Sequence, residues 1–153
     1  MSASLIFDIA PLGSLVAFAD GSPRPPDRST QDLAVWTLFN GEGLLVRKEP
    51  ACPFAPILHL ASITLRTAEF ASPGPNGLTI ALNRSGGKRF TLKIVKLPPI
   101  GSVRILRGRR DSVELLHLAE DDHAAAEWLA RHRLEGVWSE TVCADDLAAD
   151  VIE

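Results

Sequence analysis

Apolar positions along the chain fall in short runs, most of them alternating with polar ones and stopped by Gly, Pro or Asn. Alternation with a period of two marks half-buried strands, so the chain reads as β-rich. Residues 4–10 (SLIFDIA) and 14–19 (SLVAFA) are β-prone and meet at Pro11-Leu12-Gly13, which predicts an opening hairpin. Residues 20–28 (DGSPRPPDR) carry Pro23, Pro25 and Pro26 and predict an extended surface loop, because proline fits neither a helix interior nor a ladder.

The stretch 30–40 admits two readings. Ser29 or Thr30 can cap a helix that carries Leu33, Trp36 and Phe39 on one side, closed by Gly41. The preferred reading is a hairpin, with 35–39 (VWTLF) as a strand, Asn40-Gly41 as the turn and Leu44-Leu45-Val46 following. Further on, Leu58 and Leu60 lie in one phase and Ile63 and Leu65 in the other, which predicts a bulge or bend. Pro73-Gly74-Pro75-Asn76-Gly77 is a strong turn.

A central hairpin is predicted next. Leu78, Ile80 and Leu82 share one face with Phe90, Leu92 and Ile94 if Leu82 pairs with Phe90, Ile80 with Leu92 and Leu78 with Ile94, leaving Ser85-Gly86-Gly87 as the loop. Residues 103–107 and 112–118 predict a second hairpin around 108–111. The segment after Leu118 predicts a covering helix. Asp121 or Asp122 is its N-cap, Ala125, Trp128, Leu129 and His132 share its buried face, and Gly136 sits at C′. A short last helix is expected over 145–152.

The predicted fold class is α+β: predominantly antiparallel β, a twisted sheet or small partly open barrel built from hairpins, covered by a C-terminal helix. One domain is expected over 1–153, with a β-rich body (1–118) and an acidic helical C-terminal segment (119–153). Apolar residues make up 46% and charged residues 23% of the chain, the composition of a globular protein rather than a disordered one.

Charge changes the picture by its distribution. Residues 84–110 hold nine Lys and Arg and no acid, whereas 111–153 hold twelve acids against Arg131 and Arg133. The net charge is only −3, which argues against indiscriminate nucleic-acid or membrane binding by the whole molecule. No apolar run approaches the roughly 20 residues that span a bilayer, and no basic residue precedes the apolar run at 12–18, so a signal peptide is not expected. Cys52 and Cys143 lack metal-site spacing and predict two reduced thiols in the cytoplasm.

Three clusters are candidates for chemistry. Arg84, Lys88, Arg89, Lys93, Arg107, Arg109 and Arg110 ring the two hairpins and suit a polyanion such as nucleic acid, unless they form a solvated sheet face. Phe90 is the one aromatic among them and points inward, so a stacking platform for single strands is not expected. His117, Asp121 and His123 are weak metal or acid–base candidates, because neighbours at a helix start diverge. Helix-capping acids with a surface histidine is the better account. Residues 23–28 (PRPPDR) fit a polyproline ligand pattern that arises often in proline-containing loops.

No nucleophile–base–orienter set can be assembled, and neither catalytic residues, a bound metal nor a cofactor is predicted. The reading is a non-enzymatic protein-interaction or accessory subunit. Its charge polarity favours a protein partner or self-association. The alternative is a nucleic-acid-binding module using 84–110, and an enzyme around His117 comes last.

Overall fold

The computed structural model describes residues 2–51, 54, 60–70, 77–82, 90–109 and 112–145. Among these the elements run α1 (Ala3–Ile9), β1 (Leu15–Ala19), α2 (Thr30–Leu38), β2 (Gly41–Glu49), β3 (Ser62–Arg66), β4 (Gly77–Ala81), β5 (Thr91–Lys96), β6 (Val103–Arg109), β7 (Ser112–Ala119), α3 (Asp122–His132) and β8 (Val137–Thr141). The eight strands form an open antiparallel sheet in the order β4-β3-β2-β7-β6-β8, with β1 pairing β2 and β5 off that path. The architecture is α+β.

Strand β2 divides the sheet. One edge runs along β3, while the other is shared between β1 at Gly41–Leu44 and β7 at Arg47. Its ladder with β3 slips between Leu45 and Arg47, so consecutive Leu45 and Val46 are both buried, but in different clusters. An extra residue in one strand has this effect because it breaks the alternation of faces. Leu45 joins Ile6, Val16, Phe18, Ile63, Ile80 and Leu92 in the core beside α1. Val46 joins Leu106 and Leu115 at the seam with β6 and β7. A third cluster, with Val103, Ile105, Leu116, Ala125 and Trp128, lies beneath α3.

Several expectations are corrected. Residues 4–10 do not form a strand: α1 covers them, capped by Ser2, whose side chain accepts from the Leu5 amide. Ile6 and Ala10, and Ala3 and Phe7, stand one turn apart against the core, so a helical period hid inside a β-prone composition. The turn at Pro11 is present, with the Ser14 amide bonded to the Pro11 carbonyl and Gly13 at φ +99°, but it joins α1 to β1. The stretch 30–40 is helical rather than a hairpin. Leu33, Trp36 and Phe39 are its half-buried positions. Buried Asn40 stops the helix, donating to the Trp36 carbonyl and bonding both the side chain and the amide of Asp20.

The central hairpin is also corrected among the described residues. β5 pairs with β1 (Phe18 opposite Leu92, Val16 opposite Ile94) and β4 with β3 (Ile63 opposite Ile80). Both apolar rows reach the predicted common core. The pairing differs because apolar β1 needs a partner on each edge, and β5 fills the edge that β2 leaves. The loop 83–89 lies outside the described residues.

The second hairpin forms as expected between β6 and β7. A Cβ on Gly108 (φ +130°) would lie 2.1 Å from the Ser112 carbonyl oxygen, a backbone approach that only glycine allows. In α3 the Asp121 carboxylate accepts from the Ala124 amide at 2.8 Å, as the capping rule predicts. The helix ends at Arg133, which takes the left-handed conformation (φ 45°) expected of Gly136 and bonds back to the Leu129 carbonyl. Gly136 (φ +70°) serves the turn into β8, an edge strand on β6 that the acidic segment adds to the sheet. The expected helix over 145–152 lies, apart from Asp145, outside the described residues. Among those described, no helix is long and apolar enough to cross a membrane.

Candidate functional site: a cleft between the split sheet and α3

Where β1 parts β2 from β7, a cleft of about 720 Å³ opens beneath α3. Its position follows from a second bulge. Ile105 pairs with His117 and Leu106 with Leu115, leaving Leu116 as the extra residue on β7. Leu115 and Leu118 face the seam, while Leu116 and Ala119 pack under α3. The inserted residue resets the alternation, so His117 also comes to the α3 side and stacks on Trp128.

The wall is aromatic. The His117 ring lies 5.1 Å from Trp128 and within 8° of parallel; the His132 ring lies 3.8 Å from it and within 18°. Phe70 packs at 5.9 Å from Trp128 and 6.3 Å from His132. His132 Nδ1 meets the Trp128 carbonyl at 2.9 Å. A carbonyl only accepts, so Nδ1 carries a hydrogen, and the tautomer with that hydrogen has its lone pair at Nε2. Burial pushes the His117 pKa below its usual value, and His132, Arg131 and Arg66 push the same way against the opposing charge of Glu69. His117 is therefore a neutral imidazole at neutral pH.

Two arginines line the cleft with different roles. Arg66, on β3, reaches across the gap and donates from Nη1 to the carbonyls of Leu115 and Leu116, at 2.8 and 2.9 Å, beside the bulge. Its Nη2 meets Glu114 at 3.1 Å, and its guanidinium lies 5.4 Å from the Phe70 centroid. Burial acts against the Arg66 charge and Glu114 offsets it. Glu114 also meets Arg47 at 3.3 Å and Arg107 at 3.7 Å, tying four strands at one carboxylate. Arg131, exposed on α3, has no ion pair among the described residues.

The exposed lining adds Glu42, Glu69 and Glu127, with Leu15, Leu44 and Leu116 as the apolar part. With Arg66 engaged by Glu114 and the β7 carbonyls, the lining offers the carboxylates of Glu42, Glu69 and Glu127 and the rings of His117 and His132, with Arg131, the Thr67 hydroxyl and the Trp128 indole N–H as its donors. Carboxylate oxygens outnumber these donors, so the lining is rich in acceptors.

Of the residues proposed from sequence for chemistry, the cleft takes His117 alone. Asp121 caps α3, and His123 is 83% exposed at its side chain, 3.2 Å from Glu127. Among the described residues no group of three His, Cys, Asp or Glu converges as a metal site. Of the basic candidates, Lys93 is exposed on β5, Arg109 is exposed at the end of β6, and Arg107 is half-buried beside Glu114. Arg84, Lys88, Arg89 and Arg110 lie outside the described residues. Phe70, Arg66 and His132 were not anticipated as site residues. His132 carried a signal, since it shares the predicted helix face with Trp128. Arg66 carried none, because its partners are backbone carbonyls about fifty positions away.

With this geometry in view, a family model described as uncharacterised conserved protein UCP036055 matches residues 1–146. The chain belongs to this family. No curated protein and no solved structure matches it.

Proposed function

We propose that this family member is a non-enzymatic cytoplasmic binding module whose cleft receives an organic cation rich in hydrogen-bond donors. The natural form is a Lys or Arg side chain of a protein partner. The observation that carries this reading is the acceptor-rich lining around an aromatic wall: Glu42, Glu69, Glu127, His117 and His132 beside Trp128 and Phe70. Amines and guanidinium groups satisfy such acceptors and gain further from an aromatic face.

Trp128 emission tests it in a Trp36→Phe/Trp138→Phe background, which leaves Trp128 as the only indole of three. Titration at low salt with N-acetylarginine amide and N-acetyllysine amide should give a saturable change that Glu69→Gln/Glu127→Gln weakens. Butylguanidine and butylamine report a small-molecule source, and sedimentation of the protein alone reports a second copy as the partner. No response to any cation, or an equal response to propionate, overturns the reading.

A second reading, polyanion binding by the basic stretch, draws support from Lys93, Lys96 and Arg109, all exposed. Its binding to duplex and single-stranded oligonucleotides should fall steeply with salt and be weakened by Lys93→Glu/Arg109→Glu. No binding at low salt removes it.

A further inference from the structure

On the face of β6 opposite α3, Arg104 is only 8% exposed. Its Nε donates to the Leu12 carbonyl at 2.8 Å, and its two terminal nitrogens make no hydrogen bond or ion pair among the described residues. Guanidinium groups keep their charge inside proteins, so burial with one neutral partner leaves that charge largely uncompensated. Arg104 lines a second pocket, of about 330 Å³, with Leu12, Leu106, Val113, Trp138 and Glu140.

We propose that this pocket is a binding site for a small monocarboxylate with an apolar body, its carboxylate held by the two free ends of Arg104. The fork of terminal N–H groups fits a carboxylate in a two-point bond. Nε is anchored on Leu12, which fixes the plane of the fork before a ligand arrives. Leu12, Leu106 and Val113 supply apolar surface, and Trp138, 37% exposed, supplies an aromatic wall. A mostly apolar pocket with one oriented charged group is how proteins hold small organic acids.

Glu140 is the internal competitor. It stands opposite Arg104 in the β6–β8 register yet forms no ion pair with it, and its side chain is exposed. An acid at that position lowers affinity for an anion without filling the site.

The test is an amide and indole NMR titration of the full chain with hexanoate, hexanol and inorganic phosphate. Hexanoate should shift the Trp138 indole and the Leu12 and Val113 amides saturably, and neither hexanol nor phosphate should match it. Arg104→Lys, which keeps the charge and loses the fork, should weaken hexanoate about tenfold, the loss of one charge-assisted hydrogen bond. Glu140→Gln, a change at an exposed residue that does not threaten folding, should tighten it about threefold, the scale of a surface charge pair. Hexanol binding the same residues as tightly as hexanoate would overturn the proposal. So would a Glu140→Gln protein that binds hexanoate no better than the parent, or a stronger response to phosphate.

Discussion

Two arginines reach against opposite faces of the β6–β7 layer, Arg66 from β3 and Arg104 from β6 itself, and their surroundings differ. Under α3, Arg66 meets two carbonyls, the Glu114 carboxylate and the Phe70 ring. On the other face, Arg104 meets one carbonyl. Both are shielded from water, so desolvation alone does not separate them. Partner accounting does: Arg66 closes a gap in the sheet and has little left for a ligand, whereas Arg104 is held by Nε with its terminal donors unspent among the described residues. The tryptophans divide along the same line. Trp128 (7% exposed) belongs to a core cluster, while Trp138 (37% exposed) sits on an edge strand and a pocket wall.

The widest gap between the faces should appear on truncating these tryptophans. Trp128→Ala should cost about 3–5 kcal/mol, the range for emptying an aromatic site in a packed core. Trp138→Ala should cost less than about 1 kcal/mol, as surface changes do. Urea denaturation with unchanged slope measures both, and equal losses would mean that β8 is as integral as α3. Glu114→Gln comes next, at about 2–3 kcal/mol, because Arg66 loses the carboxylate that compensates its burial.

The arginine comparison is sharper but smaller. Arg66→Met should destabilise by about 2 kcal/mol, since the Leu115 and Leu116 carbonyls and Glu114 lose their donor together. Arg104→Met should change stability by less than about 1 kcal/mol in either direction, because loss of the Leu12 bond is offset by removal of an uncompensated charge. A loss at Arg104 as large as that at Arg66 would break the distinction between them.

Legibility from sequence followed the range of the interactions. α3, its Asp121 cap and its buried face were readable because capping and the helical period act within one turn. The β6–β7 hairpin was readable because its turn is local. α1 was misread because isoleucine and phenylalanine favour strands by propensity, and burial of Ile6 and Ala10 one turn apart overrode that preference. In α2 the deciding contacts of Asn40 reach back to Asp20, out of sight of local turn rules. β8 was missed because its residues are mostly exposed and carry no alternation; its register on β6 defines it. Of the cleft, His117 was named from sequence only as a weak candidate beside Asp121 and His123, with capping acids and a surface histidine as the better account. Asp121 and His123 are its neighbours along the chain, but the β7 bulge turns its ring to Trp128 and His132.

The smallest expected effect is a pH dependence on the α3 face. Burial and the nearby His132, Arg131 and Arg66 lower the folded-state pKa of His117 below the ordinary 6.5. In the unfolded chain His117 binds its proton at the ordinary value, so between that value and the lowered one the unfolded state holds more proton. Stability should therefore be unaffected by His117 above about pH 7, begin to fall as pH drops through 6.5, and stop falling on this account once the folded protein is protonated too. His117→Gln should flatten that part of the stability profile relative to the parent, read from urea midpoints at closely spaced pH. Arg131→Gln should make the parent's decline shallower, since a positive neighbour that holds the pKa down is gone. An unchanged profile in both variants would mean that the imidazole is not held among these charges, and the acceptor-rich description of the cleft would lose its neutral His117 ring.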